Sequence, residues 1–428
     1  MKPLKILLSL IFINSGISIY GQFTLTECLE KAKANYPMVR QYSLIETSKN
    51  YDLSNAVKSN LPQLSLSAKA TIQTEVTNVP ISVPGINIPS INKDQYQIIA
   101  EVTQKIWDGG ATKSLKKEIE SAGEVEQAQY ETDMYALDKR VCDLFFGILI
   151  IEEQLKLNDI YIDELNTNNK KISAWIENGI ANQTDLDVIN VEILSAYQRH
   201  TELKSMRQVY SEMLTYFIGE SGTDKSRDNN LKLIKPEIPE LTINLDNIWD
   251  QRPESTLFDA SIHNIESKRD KILSRDRPKL NAFVQGGYGN PGLNMLKNEF
   301  SPYAIGGLRA VWNFGGLYTR KNDLLKIETA IEGIELQQET FMFNNNMLLS
   351  SELSEMEKYK QIIQDDEKIA ELRRNIKKAS ESKVENGTMS VTDLIRDINA
   401  EQAALRNKAV HEIEMIKSAY DIKNLLNK

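Results

Sequence analysis

The chain has 428 residues, enough for roughly two or three domains of average size. Its 60 acidic residues outnumber its 51 basic residues and give a net charge of −9, so nucleic acid is not an expected partner. Two cysteines, Cys28 and Cys142, are too few for a disulfide framework, and we expect both to pack within helices.

Residues 1–21 have the layout of a secretory signal peptide. Lys2 and Lys5 give a positive start, an apolar run follows from Leu4 to Ile13, and small residues lead to a cut after Gly21. The apolar run is shorter than the roughly 20 residues of a helical membrane anchor. No later stretch is longer, so we expect an exported protein in which any membrane insertion would use β-strands.

Four segments alternate apolar and polar residues with the period of two that is typical of half-buried strands. They form two pairs, expected at about 63–77 and 95–107 and at about 279–289 and 300–314. In the first segment the apolar positions are Leu64, Leu66, Ala68, Ala70, Ile72 and Val76. The loops inside the pairs contain prolines, which block further strand pairing.

Long segments without proline follow each strand pair and predict helices. We expect a long helix at about 111–176 with a return helix at about 184–218, and a second such pair at about 317–383 and 392–426. From Met134 to Leu155 the apolar positions advance in alternating steps of four and three residues. This heptad pattern predicts a left-handed coiled coil.

The same markers occur in the same order in both halves of the chain, which indicates a duplication. The sequence Glu177-Asn178-Gly179, followed by Thr184-Asp185-Leu186, recurs as Glu385-Asn386-Gly387, followed by Thr392-Asp393-Leu394. Trp107 and the glycine pair after it recur as Trp312 and a second glycine pair. We predict a first structural repeat at 22–219, a linker at 220–248 and a second repeat at 249–428.

Four strands with one apolar face cannot close a barrel alone, and lipid does not tolerate unpaired strand edges. Three copies would supply twelve strands, within the range of outer-membrane barrels. The polar face would then line water, and Trp107 and Trp312 would lie in the aromatic belt at the membrane interface. The same alternation would also fit a soluble, half-buried sheet.

In this order the markers resemble the TolC family of outer membrane efflux proteins, also called outer membrane factors, over nearly all of the chain after residue 21. Further residues that carry the resemblance are Phe23-Thr24-Leu25-Thr26-Glu27-Cys28-Leu29, Asn35-Tyr36-Pro37 and Asn60-Leu61-Pro62. The resemblance implies an α+β, mostly α fold with long coiled-coil hairpins and four strands per chain in a trimeric 12-stranded transmembrane β-barrel. It implies a passive channel-tunnel for efflux or type I secretion, in the cell outer membrane and extending into the periplasm.

The resemblance also implies partners and functional residues. The partners would be two more copies in a homotrimer, outer membrane lipid, a periplasmic adaptor (membrane fusion protein) and an inner-membrane pump of RND, ABC or MFS type. Asp185 and Asp393 would lie at the periplasmic mouth, and Arg396 stands where some members have a second acidic residue, so the closing network would differ. The turns that would contact the adaptor contain Gly179, Thr184, Leu186, Gly387, Thr392 and Leu394.

Two other interpretations stay open. Asp185 and Asp393 lie near predicted helix starts, where a carboxylate also caps exposed amides. A soluble or surface trimeric coiled-coil scaffold or adhesin, without a pore, would share the heptads and the signal peptide. Because His200, His263 and His411 are scattered and no nucleophile stands beside a base, we expect no catalytic residues, no cofactor and no metal site.

Overall fold

A computed structural model describes residues 22–77, 91–179, 181–220, 231–241 and 249–426 of the chain. The predicted signal peptide, most of the loop inside the first strand pair and most of the predicted linker lie outside these ranges.

The described chain consists mainly of helices. In chain order its elements are β1 (Gln22–Phe23), α1 (Leu25–Asn35), a short 3₁₀ helix (Pro37–Arg40), α2 (Gln41–Lys58), β2 (Gln63–Ile72), β3 (Asp94–Trp107), α3 (Ala111–Glu177), α4 (Gln183–Ile218), β4 (Lys232–Leu233), α5 (Pro253–Arg275), β5 (Lys279–Asn290), β6 (Ser301–Val311), α6 (Gly315–Glu385) and α7 (Val391–Leu425). The predicted fold class, α+β and mostly α with long helical hairpins and a set of four strands, is confirmed. No helix in the described ranges contains a stretch that is long and apolar enough to cross a membrane.

The chain divides into two compact units. One, here called the hairpin unit, comprises Met1–Val39, Met134–Asp246 and Asn345–Lys428, and the other, the sheet unit, comprises Arg40–Asp133 and Asn247–Asn344. Each unit takes segments from both halves of the sequence. The predicted repeats therefore describe a duplication of sequence and do not coincide with the compact units.

The sheet unit contains one antiparallel sheet with the strand order β2-β3-β5-β6. Its central pair joins the two halves of the sequence, since Val102 of β3 lies opposite Val284 of β5. β2 ends at Ile72, opposite Asp94, and so stops short of the predicted bound at 77. Within the described residues, the outer edges of β2 and β6 have no partner strand.

Small polar side chains hold α3 against α5 in the sheet unit. Ser121 of α3 donates a hydrogen bond to Ser267 of α5 at 3.0 Å, and Ser114 lies 3.3 Å from Ser274. All four serines are buried, and the two on each helix are one heptad apart. Serines at this spacing let the helix backbones approach closely while every buried hydroxyl keeps a hydrogen-bond partner.

The core of the hairpin unit follows the predicted heptads. Leu137, Val141 and Ile148 of α3 are almost fully buried. They belong to a hydrophobic cluster to which α1, α4 and α7 also contribute. Cys28 and Cys142 are free cysteines in this cluster, and burial raises the pKa of each thiol to about 12. Both therefore stay protonated at neutral pH and act as apolar packing residues.

A second cluster of the hairpin unit lies near the turns between its long helices. Its almost fully buried members include Leu165 of α3, Ile189 of α4, and Leu394 and Ile398 of α7. A separate parallel ladder pairs β1 with β4 over two residues each. Sequence periodicity does not predict this ladder, because two residues are too few to show a period.

Candidate functional site

One face of the four-stranded sheet is apolar on every strand. Partners in an antiparallel register point to the same side, so this face contains Leu64, Leu66, Ala68 and Ala70 of β2, Tyr96, Ile98, Ala100 and Val102 of β3, Leu280, Ala282, Val284 and Tyr288 of β5, and Ala304, Leu308 and Ala310 of β6. Its large side chains are exposed in the single chain, with Leu64 at 76%, Leu308 at 70% and Val284 at 63%. A soluble half-buried sheet would cover such a face, so the structure does not support that alternative.

The opposite face of the sheet is polar and carries charges. It includes Ser65 and Lys69 of β2, Gln97 and Glu101 of β3, Gln285 of β5 and Arg309 of β6. Arg309 Nη1 lies 3.6 Å from Glu101 Oε1, and its guanidinium carbon lies 4.6 Å from the centre of the Phe283 ring. A face of this kind is suited to contact with water.

Aromatic side chains mark one end of the apolar face. Trp107 and Trp312 are about half exposed, and Trp312 packs against Phe314 with ring centres 4.7 Å apart. The Trp312 indole N–H donates a hydrogen bond to the Asp276 carbonyl at 2.9 Å. A buried donor with an exposed apolar ring is the usual state of an interfacial tryptophan.

A second aromatic group, which sequence reasoning missed, lies at the other end of the same face. Phe300 stacks against Tyr288 and Tyr96, with ring centres 5.7 and 6.4 Å apart. Leu280, which pairs with Trp107, is eight residues from Tyr288 along β5. At about 3.3 Å per residue, the two aromatic ends are roughly 26 Å apart along the strand. This spacing is comparable with the ~25 Å apolar band of an outer-membrane barrel.

The two turns of the hairpin unit, α3–α4 and α6–α7, share one geometry. Gly179 and Gly387 have φ angles of 73° and 69°. Their N–H groups donate to the carbonyls of Ile176 and Val384, at 3.0 and 2.9 Å. A Cβ atom would meet nothing within 4 Å at either position. Glycine is therefore required by the left-handed backbone and not by lack of space.

Asn182 and Ser390 cap the helices that follow these turns, and Asp185 and Asp393 are the hydrogen-bond partners of these caps. The Asp185 N–H donates to Asn182 Oδ1 at 3.1 Å, and the Asn182 N–H donates to Asp185 Oδ2 at 3.0 Å. Asp393 N–H donates to Ser390 Oγ at 3.1 Å, and the Ser390 hydroxyl donates to Asp393 Oδ2 at 2.7 Å. Asp185 thus completes a capping box with Asn182, whereas the Asp393 carboxylate supports the Ser390 cap only through the serine hydroxyl.

The other predicted residues of the turns lie in different environments. Arg396 is exposed, and its Nη1 lies 3.1 Å from Asp393 Oδ1. Thr184 and Thr392 are exposed, and Leu186 is half-buried. Leu394 is only 2% exposed and packs in the second cluster of the hairpin unit. The two threonines are therefore available to another protein in the single chain, whereas Leu394 is a core residue.

A buried ion network joins the two hairpins close to these turns. Lys377 Nζ of α6 lies 2.7 Å from Glu164 Oε1 of α3 and 2.5 Å from Glu401 Oε2 of α7. Burial opposes the charge of Lys377, but its bonds to the two carboxylates outweigh this effect and raise the Lys377 pKa. Nearby, Tyr161 of α3 donates to Asn399 of α7. Sequence reasoning missed this network, since charged residues on long helices are usually solvated.

Comparison with known proteins gives a family match for the first half of the chain. Residues 28–220 match the family described as outer membrane efflux protein. No curated protein matches the chain in sequence.

Three solved structures with the same fold are those of VceC, CmeC and MtrE. The outer membrane protein VceC of Vibrio cholerae has a TM-score of 0.68 at 11% identity, with 94% of this chain and 95% of VceC covered. The CmeC outer membrane channel of Campylobacter jejuni has a TM-score of 0.69 at 12% identity, covering 94% of this chain and 85% of CmeC. The open state of the MtrE outer membrane channel of Neisseria gonorrhoeae has a TM-score of 0.65 at 12% identity, covering 94% of this chain and 88% of MtrE.

The fold is that of a TolC-like protein of the outer membrane. Within the chain, residues 28–220 match the outer membrane efflux protein family that the motifs resemble, and the fold of the described chain is the one that these outer membrane proteins share.

We expect opposite results from arginine on the two faces of the sheet. Val284→Arg places a charge in the middle of the apolar face and should block insertion, at a cost of about 2–4 kcal/mol near the membrane midplane. Gln285→Arg is the matched control, because Gln285 is the next residue on the polar face. Outer-membrane fractionation measures how much of each variant is inserted in the membrane. Normal insertion of Val284→Arg together with loss of Gln285→Arg would mean that the faces are assigned the wrong way round.

We also expect Lys377→Ala to destabilise the hairpin unit by about 3 kcal/mol, because it leaves buried carboxylates without their cation. Glu401 has a side chain only 4% exposed, and its other cation, Arg374, lies at 3.5 Å. Lys368→Ala is the control, since Lys368 pairs with Asp365 at 3.6 Å with both side chains more than 70% exposed. The thermal unfolding midpoints of the two detergent-solubilised variants are compared with that of the wild-type protein. Equal midpoints for the two variants would show that the network does not stabilise the fold.

Proposed function

We propose that the protein is a passive channel-tunnel for efflux or type I secretion, formed by three copies of the chain. The observation that carries this proposal is the sheet unit's four-stranded sheet, with its exposed apolar face and two unpaired edges. In lipid the apolar face is favourable, but the free N–H and C=O groups of β2 and β6 are not. The sheet therefore needs further strands to complete it.

Pairing between copies supplies these strands without changing the order of the sheet. Neighbouring strands in β2-β3-β5-β6 are antiparallel, so β2 and β6 run in opposite directions. β6 of one copy can thus pair with β2 of the next in the same antiparallel pattern. Repeated three times, this head-to-tail contact closes a ring of twelve strands, an even number within the range of such barrels.

Exposed apolar side chains on the helices of the hairpin unit support assembly as well. On α4 they are Val191, Leu194, Val209, Met213 and Tyr216, and on α6 they are Met347, Leu348, Ile369, Leu372 and Ile376. More than half of the steps between consecutive members are three or four residues, as in stripes of the coiled-coil type. In the proposed trimer, such stripes would pack between copies and continue as a tunnel of helices.

The hairpin turns are the proposed periplasmic mouth. Asp393 and Arg396 would contribute to its closure, and Asp185 would be the corresponding residue of the other hairpin. The exposed residues Thr184 and Thr392 would contact a periplasmic adaptor, which would link the channel to an inner-membrane pump of the RND, ABC or MFS type. Substrate passage in this arrangement needs no catalytic residue or cofactor.

The alternative of a soluble trimeric scaffold or adhesin shares the coiled-coil stripes. It does not account for an apolar sheet face with an aromatic group at each end. A scaffold would remain soluble in buffer, whereas the proposed channel should stay with outer membranes and need detergent for extraction. Chemical crosslinking in that detergent should give three copies.

Conductance in planar bilayers tests the function. We expect the wild-type protein to form channels of low conductance, and Asp393→Ala to raise the conductance because it removes the Arg396 pair and the hydrogen bond from the Ser390 hydroxyl at the proposed mouth. Asp365→Ala, which alters an exposed acid in the middle of α6, is the control and should leave the conductance at the wild-type value. Channels with the same conductance in all three proteins would place the closure elsewhere, and no channels at all would contradict the proposed function.

A further inference from the structure

Three helices of the hairpin unit enclose a polar groove that the proposed channel function does not use. The groove has a volume of about 400 Å³. Its main polar residues are Gln154 and Tyr161 of α3, Glu192, Ser195 and Arg199 of α4, and Asn399, Gln402 and Arg406 of α7. This volume lies within the range of small-molecule sites, and its concave lining favours a small ligand over a protein surface.

The polar residues of the groove lie at two levels along the helix axes. At one level, the Tyr161 hydroxyl lies 3.2 Å from Glu192 Oε2 and also contacts Asn399 Oδ1, so all three residues meet there. Arg199 and Arg406 are each seven residues further along their helices, which is roughly 10 Å at 1.5 Å per residue. The two arginines therefore lie at a second level, and Glu192 remains at the first level with Tyr161.

Neither arginine has an anionic partner. Among the described residues, no carboxylate lies within ion-pair distance of Arg199 or Arg406, and neither side chain forms a hydrogen bond. Arg207, two turns further along α4, shows the usual arrangement, since its guanidinium binds Glu152 at 2.7 Å and the Leu231 carbonyl at 2.8 Å. Burial and the positive charge of Arg199 together lower the pKa of Arg406. The two cations thus repel each other across the groove in a chain whose net charge is −9.

Neutral hydrogen-bonding groups surround the arginines. Gln154 and Ser195 line the same groove and form no hydrogen bond within the described chain. Two guanidinium forks beside free amide and hydroxyl groups match the planar, multiply accepting oxygens of carboxylates.

We propose that Arg199 and Arg406 form a binding site for a small polycarboxylate anion. The anion takes one guanidinium from α4 and one from α7, and its remaining oxygens accept hydrogen bonds from Gln154 and Ser195. Bound in this way, it replaces the repulsion between the arginines by two attractions and ties the first hairpin to the second. All of the residues that form the site belong to the hairpin unit.

Citrate is the probe, and the full-length protein in a non-ionic detergent is the sample. Isothermal titration at constant ionic strength should show saturable binding to the wild-type protein, accompanied by a higher thermal midpoint. Arg199→Gln and Arg406→Gln should each weaken citrate binding at least tenfold. Arg406→Lys keeps the charge but loses the fork, and should bind with intermediate affinity.

The matched control is Arg373→Gln, which removes one positive charge from an exposed position on α6. It should bind citrate like the wild-type protein. If citrate does not bind saturably to the wild-type protein, or if Arg373→Gln weakens binding as much as Arg406→Gln, the proposal is wrong. If Arg406→Gln fails to fold, Arg199→Gln and Arg406→Lys decide the matter, and wild-type affinity in both would equally overturn it.

Discussion

The backbone groups along the free edges of β2 and β6 impose the main constraint on this protein. A β-strand edge in lipid leaves each unpaired N–H and C=O group without water, at a cost of several kcal/mol per group. The apolar face of the sheet favours lipid, and the edges prevent a single copy from residing there. In the proposed trimer the sheet continues into another copy and both conditions are met, so membrane insertion and oligomerisation would be a single requirement.

The helices of the hairpin unit meet a different set of constraints, because their backbone groups are satisfied within each helix. Their ends depend on local features, namely a left-handed glycine at each turn and a side-chain cap at each following helix. Their association depends on buried seams such as Leu137, Val141 and Ile148. The ion network around Lys377 adds specificity of register between hairpins, since a charge buried between carboxylates tolerates little displacement.

These constraints explain which parts of the structure the sequence predicts. A strand with lipid on one face and water on the other must alternate apolar and polar residues. A helix in a coiled coil must repeat its apolar residues by heptads. Both patterns are therefore visible in a single sequence. The burial of Leu394 is a feature that the sequence does not predict. Its place in the repeated motif suggests a partner contact, but only the packing of four helices reveals that it lies in the core.

Contacts between distant segments leave no comparable pattern. Lys377, Glu164 and Glu401 come from three helices, and their charges alone suggest solvated surfaces. Tyr96, Tyr288 and Phe300 occupy apolar or loop positions whose aromatic character gains meaning only when the register brings them together. The position of the two aspartates at helix starts, by contrast, follows from local sequence, and each carboxylate accepts a hydrogen bond from its N-cap residue, Asn182 or Ser390.

The contacts of the Asp393 carboxylate within the chain determine the charge that this residue would present at the proposed mouth. One of its oxygens accepts from Ser390 and the other pairs with Arg396, so both are engaged within the chain. Three copies around an axis would bring together three ion pairs and not three bare carboxylates, which reduces both mutual repulsion and affinity for cations. An ion pair as exposed as this one contributes little free energy, typically less than about 1 kcal/mol. A closure that uses such pairs can open without a large barrier, since each pair adds little to the stability of the closed state.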